Sequence, residues 1–105
     1  WNKKRFGMGY RTRRVSEHLL ILQKYPIRAK GIWCIHNIPD VWDEIVNNGD
    51  HVHRKPILLQ SKLIEAVTRK GDVVLDPASG SFSVMKSANR VGRRFAGCDL
   101  VVKND

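Results

Sequence analysis

The stretch from residue 72 to residue 99 constrains the fold of this sequence more than any other part. It holds Asp72 followed by an apolar run at 73–75, a loop at 78–82 whose first four residues are small, a helix-forming run at 83–91 closed by Gly92, and a second short apolar run at 95–98. A strand, a helix and a strand within 28 residues form a βαβ unit, with parallel strands and a right-handed crossover. We therefore predict an α/β fold, with residues 72–75 as a fully buried strand.

A helix is also predicted immediately before this unit, from Pro56 to about residue 70. The apolar residues that recur at the spacing of one helical face are Leu59, Leu63, Ala66 and Val67. Proline suits the first helical turn, where its missing N–H costs nothing. Arg69 and Lys70 complement the dipole at the helix C-terminus, and Gly71 suits the position just past it.

The first 55 residues carry weaker patterns. Residues 17–23 form an apolar block between polar residues, which is most simply a buried strand with residues 19–22 in the core. Residues 26–56 hold three prolines and two glycines, which predicts a loop-rich connection with one short helical turn at 41–47. With 105 residues in all, the chain is one domain at most, or part of one.

The charge favours a polyanionic partner, and nucleic acid is the commonest one. Nineteen Lys and Arg against ten Asp and Glu leave a formal net charge of +9. The basic cluster near the N-terminus that we take as phosphate contacts is Arg5, Arg11, Arg13 and Arg14. The alternative is that Arg14 packs structurally while the other three are simply solvated.

Other function classes are disfavoured by the apolar pattern and by the cysteine content. No purely apolar run exceeds four residues, far below the roughly 20 that a membrane span needs. Cys34 and Cys98 alone give no disulfide framework for a small secreted fold, so we expect a reducing compartment, the cytoplasm.

The loop between the two predicted strands is the strongest candidate binding site. Parallel strands bring residues 76–82 and Asp99 to one edge of the sheet, where open α/β folds bind ligands. Gly80 permits a positive φ, and Asp99 follows it by nineteen residues, a spacing at which a carboxylate bonds ribose hydroxyls. The sequence contains neither G-x-G-x-x-G nor a P-loop. Two carboxylates suit a cationic nucleoside such as S-adenosylmethionine, with an ordinary βαβ turn as the alternative.

Five segments, in order along the chain, resemble motifs of the amino-methylating DNA methyltransferases, the N6-adenine and N4-cytosine enzymes. Residues 1–20 are similar to a Trp-x-Lys … Arg … His-Glu-x-Leu stretch of that family. The other four segments are Asp40-Val41-Trp42, His53-Arg54-Lys55-Pro56, residues 71–81 (similar to Gly-Asp-x-Val-Leu-Asp-Pro-Phe-x-Gly-Ser-Gly) and residues 92–99 (similar to Gly-Arg-x-Phe-x-Gly-x-Glu). The resemblance covers nearly the whole chain.

The resemblance implies a partial methyltransferase-type Rossmann fold, S-adenosylmethionine as cofactor and DNA as partner. It divides the chain into a basic segment, buried strand and loop-rich connection at 1–55, and a cofactor-binding helix plus βαβ unit at 56–105, together one incomplete domain. The residues that it places around the cofactor are His53, Lys55, Asp76, Pro77, Ala78, Ser79, Gly80, Ser81 and Asp99.

Three departures from the family pattern affect this expectation. Arg54 stands in place of a Pro-Thr-Gln insert, and Phe82 stands where the cofactor loop normally has its last glycine, so its ring stiffens the loop or covers the cofactor. The Pro-Pro-aromatic motif that holds the extruded base and its amine is absent, since no Pro-Pro occurs here. We therefore assign no catalytic residue and expect no turnover from these residues alone.

Two hypotheses about the chain's role follow from the missing motif. The chain does not begin with Met, so we expect that it was cut from a longer protein, of bacterial or phage origin. In the motif order of the resembled family the missing motif precedes Trp1, and we expect it in an upstream fragment or a second chain. The rival is a non-catalytic nucleic-acid-binding remnant of such an enzyme.

Two further patterns are more simply structural. Cys34, His36, His51 and His53 could be drawn as a zinc site, but one-residue gaps on both sides are rare among zinc sites. We predict no metal. Trp33 and Trp42 could stack on bases, but anchoring a long loop in the core is the favoured role.

Overall fold

The fold is seen in a computed structural model, which describes residues 1–25, 27–28, 30–47 and 54–100. Its regular elements are helix α1 (Ile57–Val67), strand β1 (Val73–Asp76), helix α2 (Ser83–Arg90) and strand β2 (Arg94–Gly97). The two strands pair in parallel, from Val73 opposite Arg94 to Asp76 opposite Gly97. This confirms the predicted α/β unit.

Helix α1 is held at both ends by residues distant in sequence. At its start, the Glu44 carboxylate accepts hydrogen bonds from the amides of Leu58 at 3.0 Å and Leu59 at 2.9 Å. At its end, the buried Arg93 guanidinium donates to the carbonyl oxygen of Thr68 at 2.7 Å. A carboxylate at the first turn and a cation at the last both stabilise the helix dipole.

The predicted end of α1 was therefore wrong in its details. The helix stops at Val67, because Thr68 is already extended with a φ of −131°. Arg69 and Lys70 lie beyond it, and the dipole-complementing cation is Arg93. Gly71 has a φ of +87° in the turn that leads into β1, where the Asp72 amide donates to the Arg69 carbonyl.

Helix α2 ends as its sequence predicts. Gly92 has a φ of +76°, and its amide donates to the carbonyl oxygen of Asn89. The following Arg93 amide donates to Ala88 at 2.9 Å. These two bonds are those of a Schellman motif, in which glycine takes the left-handed position at no steric cost.

Small side chains join the two helices. Ala66, Ala88 and Ser87 are fully buried, and the Ser87 hydroxyl lies within hydrogen-bond distance of the Ile57 carbonyl oxygen at 3.2 Å and of Gln60 Oε1 at 3.0 Å. Of the predicted helical face, Leu59 and Ala66 are buried and Leu63 is half-buried. Val67, also placed on that face, is 40% exposed, because the helix ends there.

The two faces of the small sheet differ. Helix α2 packs against both strands. Val74 and Phe95, which are register partners, are half-buried, whereas Val73 and Leu75 on the opposite face are 53% and 71% exposed. The prediction of a fully buried strand at 72–75 was therefore wrong, since only one face of β1 is covered.

The first 47 residues contain bridges but no regular strand or helix in their described part. Asn2 pairs with Ser16 in an antiparallel bridge and with Asp43 in a parallel one. The predicted buried strand at 17–23 is wrong, because residues 19–22 are 49–92% exposed with no described segment over them. The predicted helical turn at 41–47 is absent too, since these residues contain no helix and Asp43 forms a bridge with Asn2.

No helix in the described part of the chain has both the length and the apolar character that crossing a membrane requires.

Candidate functional site

The loop between β1 and α2 is tied to the ends of both strands. The Ser79 side chain is buried, and its hydroxyl donates to the Asp76 carbonyl oxygen at 2.8 Å. The Ser79 amide donates to the Cys98 carbonyl oxygen at 2.9 Å. These bonds fix the loop at the carboxyl edge of the sheet, as the βαβ pattern predicts.

Both carboxylates at this edge are turned toward the loop backbone. Asp76 Oδ1 accepts from the Ala78 amide at 3.1 Å, and Asp99 Oδ2 accepts from the Gly80 amide at 2.7 Å. Gly80 has a φ of +54°, the left-handed conformation that its lack of a side chain permits. The structure thus brings together Asp76, Ala78, Gly80 and Asp99 from the predicted cofactor residues.

Phe82, which stands where the resembled motif has its last glycine, has a left-handed backbone conformation. Its φ is +58° and its ψ is +32°, which is the left-handed region. The ring lies edge-on to Phe95 with centroids 6.2 Å apart and an interplanar angle of 72°. This aromatic contact offsets the strain of a left-handed non-glycine residue, which costs about 1–2 kcal/mol.

Lys55 lies at a second location, in a cavity between the N-terminal segment and the start of α1. The cavity has a volume of about 630 Å³ and is lined by Trp1, Arg14, Ser16, Glu17, His18, Leu19, Lys55, Pro56, Leu59 and Gln60. Lys55 Nζ forms an ion pair with Glu17 Oε1 at 3.1 Å. His53, the predicted neighbour of Lys55 at the cofactor, lies outside the described residues.

Gln60 connects this cavity to the βαβ unit. It lines the cavity, and its Oε1 lies 3.0 Å from the hydroxyl of Ser87 in the buried part of α2. Helix α2 begins directly after the loop at 77–82. The cavity and the loop are therefore joined through the packing of α1 on α2.

The basic cluster lies on a two-armed segment formed by residues 1–17, which we call the basic ribbon. Its arms are joined by backbone bonds from Lys3 to Val15 at 2.8 Å and from Gly7 to Arg14 at 2.6 Å. Side chains of the four predicted phosphate contacts are exposed, and Arg14 also lines the cavity. The Arg13 guanidinium donates to the Gly7 carbonyl oxygen at 3.1 Å, so this arginine is held at the tip.

The family of the chain follows from comparison with known proteins. The sequence model of a family described as DNA methylase, of the N6/N4 type, matches residues 2–102. This chain belongs to that DNA methylase family.

This DNA methylase chain is similar to several bacterial proteins. It is 51% identical over its full length to the Type II methyltransferase M.HhaII of Haemophilus parahaemolyticus, of which it covers 46%. It is 35% identical over 71 residues to the Type II methyltransferase M.BglI of Bacillus subtilis, and 35% identical over 70 residues to the DNA adenine methyltransferase YhdJ of Escherichia coli (strain K12). These matches cover 68% and 67% of the chain, but 18% and 23% of those relatives.

The chain thus spans about half the length, or less, of the curated relatives it matches. No solved structure matches it.

Two residues that position the site in this DNA methylase chain escaped the sequence analysis. Glu44 binds the start of α1 and also accepts from the Trp42 indole at 2.9 Å, so one carboxylate joins the Asp-Val-Trp segment to the helix that follows Lys55. Gly97 lies so close to the Asp76 carbonyl oxygen and the Phe95 ring that a Cβ there would overlap both. The sequence analysis matched Gly97 to the second glycine of the Gly-Arg-x-Phe-x-Gly-x-Glu segment but gave it no role.

The alternatives in the sequence have different outcomes. Trp42 is half-buried and hydrogen-bonded to Glu44, and Trp33 is half-buried. Both are consistent with the favoured role as anchors of the loop, although neither is fully covered. Among the residues that the structure describes, no group of three or more His, Cys, Asp or Glu side chains could hold a metal, and His51 and His53 lie outside them. Both cysteines are free.

Proposed function

We propose that the loop at 76–82 and Asp99 hold S-adenosylmethionine, and that this chain is the cofactor-binding portion of a DNA methyltransferase acting on the exocyclic amine of adenine or cytosine. The observation that carries the proposal is the 2.7 Å hydrogen bond from the Gly80 amide to Asp99 Oδ2. It ties the carboxylate after β2 to the small-residue loop after β1. The resulting partial Rossmann-type unit comprises residues 56–105, with residues 1–55 as its basic and loop-rich extension.

The loop favours a cation or a neutral hydroxyl over a phosphate. In phosphate-binding loops the backbone amides are left available for the anion. Here the Ala78 and Gly80 amides already donate to Asp76 and Asp99, and both acceptors carry negative charge. A ligand with ribose hydroxyls and a sulfonium suits these two carboxylates better than a nucleotide does.

Small residues leave room for such a ligand at the loop. Pro77 and Ala78 are exposed, while Ser79, Gly80 and Ser81 keep the backbone open to close approach. The Phe82 ring is packed toward Phe95, which supports an uncovered cofactor loop over a plugged one. Ser79 does not contact the ligand in this proposal. Its buried hydroxyl holds the end of β1, and so positions Asp76.

We propose that Lys55 and His53 also contact the cofactor; of the two, the structure describes Lys55, which lies just before α1. The ion pair with Glu17 holds the Lys55 ammonium at the cavity wall, one residue before the N-cap of α1. An ammonium group at this position could form an ion pair with the carboxylate of the methionine part of the cofactor. Gln60 gives this side its physical connection to α2 and the loop.

The cofactor, when bound, supplies an electrophilic methyl group. The residues of this chain bind and orient it, and catalysis of such a transfer rests mostly on positioning the two reactants. An exocyclic amine is a weak nucleophile and needs acceptors for its N–H groups and a ring to stack on the base. With no Pro-Pro-aromatic motif in its 105 residues, the chain holds one reactant only, and we propose that it does not turn over alone.

Calorimetric titration of the chain with S-adenosylhomocysteine tests the cofactor proposal. We expect saturable one-to-one binding, weakened about tenfold or more by Asp99→Ala, since loss of a charged hydrogen-bond partner costs about 1.5–3 kcal/mol. Asp99→Asn keeps an acceptor for the Gly80 amide and should lie between the two.

The matched control is Asp43→Ala, which removes an exposed aspartate paired with Lys4 in the N-terminal region. It should leave the affinity unchanged. No heat of binding at millimolar ligand, or equal losses in Asp99→Ala and Asp43→Ala, would contradict the proposal.

A second candidate function, nucleic-acid binding without catalysis, is favoured by the exposed arginines of the basic ribbon. A two-armed ribbon can enter a DNA groove, and each arginine that neutralises a phosphate adds about one to the slope of log affinity against log salt. We propose that Arg5, Arg11, Arg13 and Arg14 contact the DNA backbone. Arg11 and Arg13, at the tip, are the pair to remove.

Fluorescence anisotropy on duplex DNA across a salt series separates the two functions. Arg11→Ala with Arg13→Ala should lower the slope by about two, whereas Lys70→Ala with Lys86→Ala, on the βαβ side, should not. Salt-dependent binding that S-adenosylhomocysteine leaves unchanged, in a chain that gives no calorimetric signal, would favour the non-catalytic function.

A further inference from the structure

The tip of the basic ribbon, residues 8–13, exposes large apolar side chains as well as arginines. Tyr10 is fully exposed, Met8 is 89% exposed, and Phe6, on the arm that leads to the tip, is 74% exposed. Arg11 and Arg13 follow Tyr10 and are exposed too. Contacts with phosphates give the arginines a role, but they give none to a large ring that lies in solvent beside them.

A tight turn carries Tyr10. Residues 9–12 fold back so closely that a Cβ at Gly9 would overlap the carbonyl oxygen of Thr12. Below the turn, the two arms are joined by backbone hydrogen bonds and by the Arg13 side chain. The ring of Tyr10 therefore extends into solvent from a turn whose backbone is held in place.

We propose that Tyr10 is a wedge that inserts into the base stack of DNA, in the gap left when a nucleotide is extruded from the helix. This rests on the nucleic-acid contacts proposed above for the basic ribbon, and it adds a contact with bases to the contacts with phosphates. Methyl transfer to an exocyclic amine needs such a gap, because enzymes that modify a base take it out of the stack. An aromatic ring in the gap restores stacking to the neighbouring bases.

The charge of the ribbon selects DNA as the occupant of this surface. Residues 1–16 contain six Lys and Arg and no Asp or Glu. Arg5 precedes the turn, and Arg11 and Arg13 lie within and after it, so both arms carry cations that can neutralise phosphates. The arginines bring the tip to the duplex, and the ring then contributes a contact that phosphates cannot provide.

The contribution of the ring is large enough to measure. Stacking of an aromatic side chain on one base raises affinity by a factor of about five or more. In a fully paired duplex this gain is offset by the cost of unstacking a base step, whereas an abasic site offers the gap already open. The chain should therefore bind a duplex with a central abasic site about fivefold or more tightly than the same duplex fully paired.

Fluorescence anisotropy with these two duplexes, across a salt series and with the whole chain, tests the proposal. Tyr10→Ala should remove the preference for the abasic duplex and leave the salt slope unchanged, while Tyr10→Phe, which keeps the ring, should retain the preference. Tyr25→Ala is the matched control, because Tyr25 is 81% exposed and lies outside the basic ribbon. Arg11→Ala with Arg13→Ala should lower the slope on both duplexes by about two and keep the preference.

The outcomes separate this inference from the proposed nucleic-acid binding. Equal affinity of the parent chain for the two duplexes, or an undiminished preference in Tyr10→Ala, overturns the wedge, while salt-dependent binding still supports the phosphate contacts. No binding to either duplex overturns both proposals. Heparin, a polyanion without bases, should bind Tyr10→Ala and the parent chain equally, and a loss as large as that on the abasic duplex overturns the wedge.

The base analogue 2-aminopurine, placed next to the abasic site, observes the insertion itself. Its fluorescence falls when a ring stacks on it, so saturation with the parent chain should lower the emission and saturation with Tyr10→Ala should not. An equal decrease with both proteins would show that the ring of Tyr10 does not enter the gap, and would overturn the proposal.

Discussion

The βαβ unit and the N-terminal region of this chain obey different rules. Between residues 57 and 97 every predicted helix and strand is present, and small residues such as Ala66, Ser87 and Ala88 let the helices approach closely. In residues 1–47 an apolar run of similar character, at 19–22, forms no strand and lies exposed. In this chain, an apolar sequence pattern therefore forms a helix or strand only where another segment packs against it.

The largest expected effect contrasts two leucines, one from each region. Leu59 is 6% exposed and Leu22 is 92% exposed. Leu59→Ala should lower the free energy of unfolding by about 2–5 kcal/mol, because it removes buried methyl groups and leaves a cavity. Leu22→Ala should change it by less than about 0.5 kcal/mol. Urea denaturation followed by circular dichroism measures both, and similar losses for the two variants would break the distinction between the regions.

A smaller effect separates the two faces of β2. Gly97→Ala places a Cβ against the Asp76 carbonyl oxygen and the Phe95 ring, which should cost about 1–3 kcal/mol of unfolding free energy. Ala96→Ser, on the neighbouring exposed residue, should stay within about 0.5 kcal/mol. Thermal unfolding of the two variants compares them, and a tolerated Gly97→Ala would show that the loop is not held against this strand.

The smallest effect tests the connection between the two regions. Glu44→Ala removes the acceptor for the amides of Leu58 and Leu59 and should cost about 0.5–2 kcal/mol, as loss of a helix cap does. Asp43→Ala, next to it and paired with Lys4 at the surface, serves as the control. If both variants unfold at the same urea concentration as the parent chain, Glu44 does not stabilise α1.

The sequence predicted the elements better than their surroundings. Gly92 marked the end of α2 because a left-handed cap depends on that residue alone. Arg93 and Glu44 were missed as partners of α1, since their contacts with it span 25 residues and 14 or 15 residues respectively. The burial of Val73 and Leu75 was overestimated. An apolar strand sequence indicates that burial of its side chains is favourable, but it does not show whether another segment of this chain covers them.

The candidate site shows the same division between local and distant information. The spacing from Gly80 to Asp99 predicted a carboxylate near the loop, and the 2.7 Å hydrogen bond is consistent with that geometry. The conformation of Phe82 could not be predicted, because a bulky residue in the left-handed region depends on Phe95 for its compensating contact. The cavity around Lys55 was likewise hidden, since its walls come from residues 1–19 and 55–60.

Backbone amide NMR during titration with S-adenosylhomocysteine tests the central claim most directly, because it observes the Gly80 amide that Asp99 accepts from. The predicted result is a saturable chemical-shift change of the Gly80 amide and its loop neighbours, with one dissociation constant that Asp99→Ala raises. The chemical shifts of the amides of residues 19–22 should not change. An unchanged Gly80 resonance at millimolar ligand, or shifts spread equally over both regions, would contradict it.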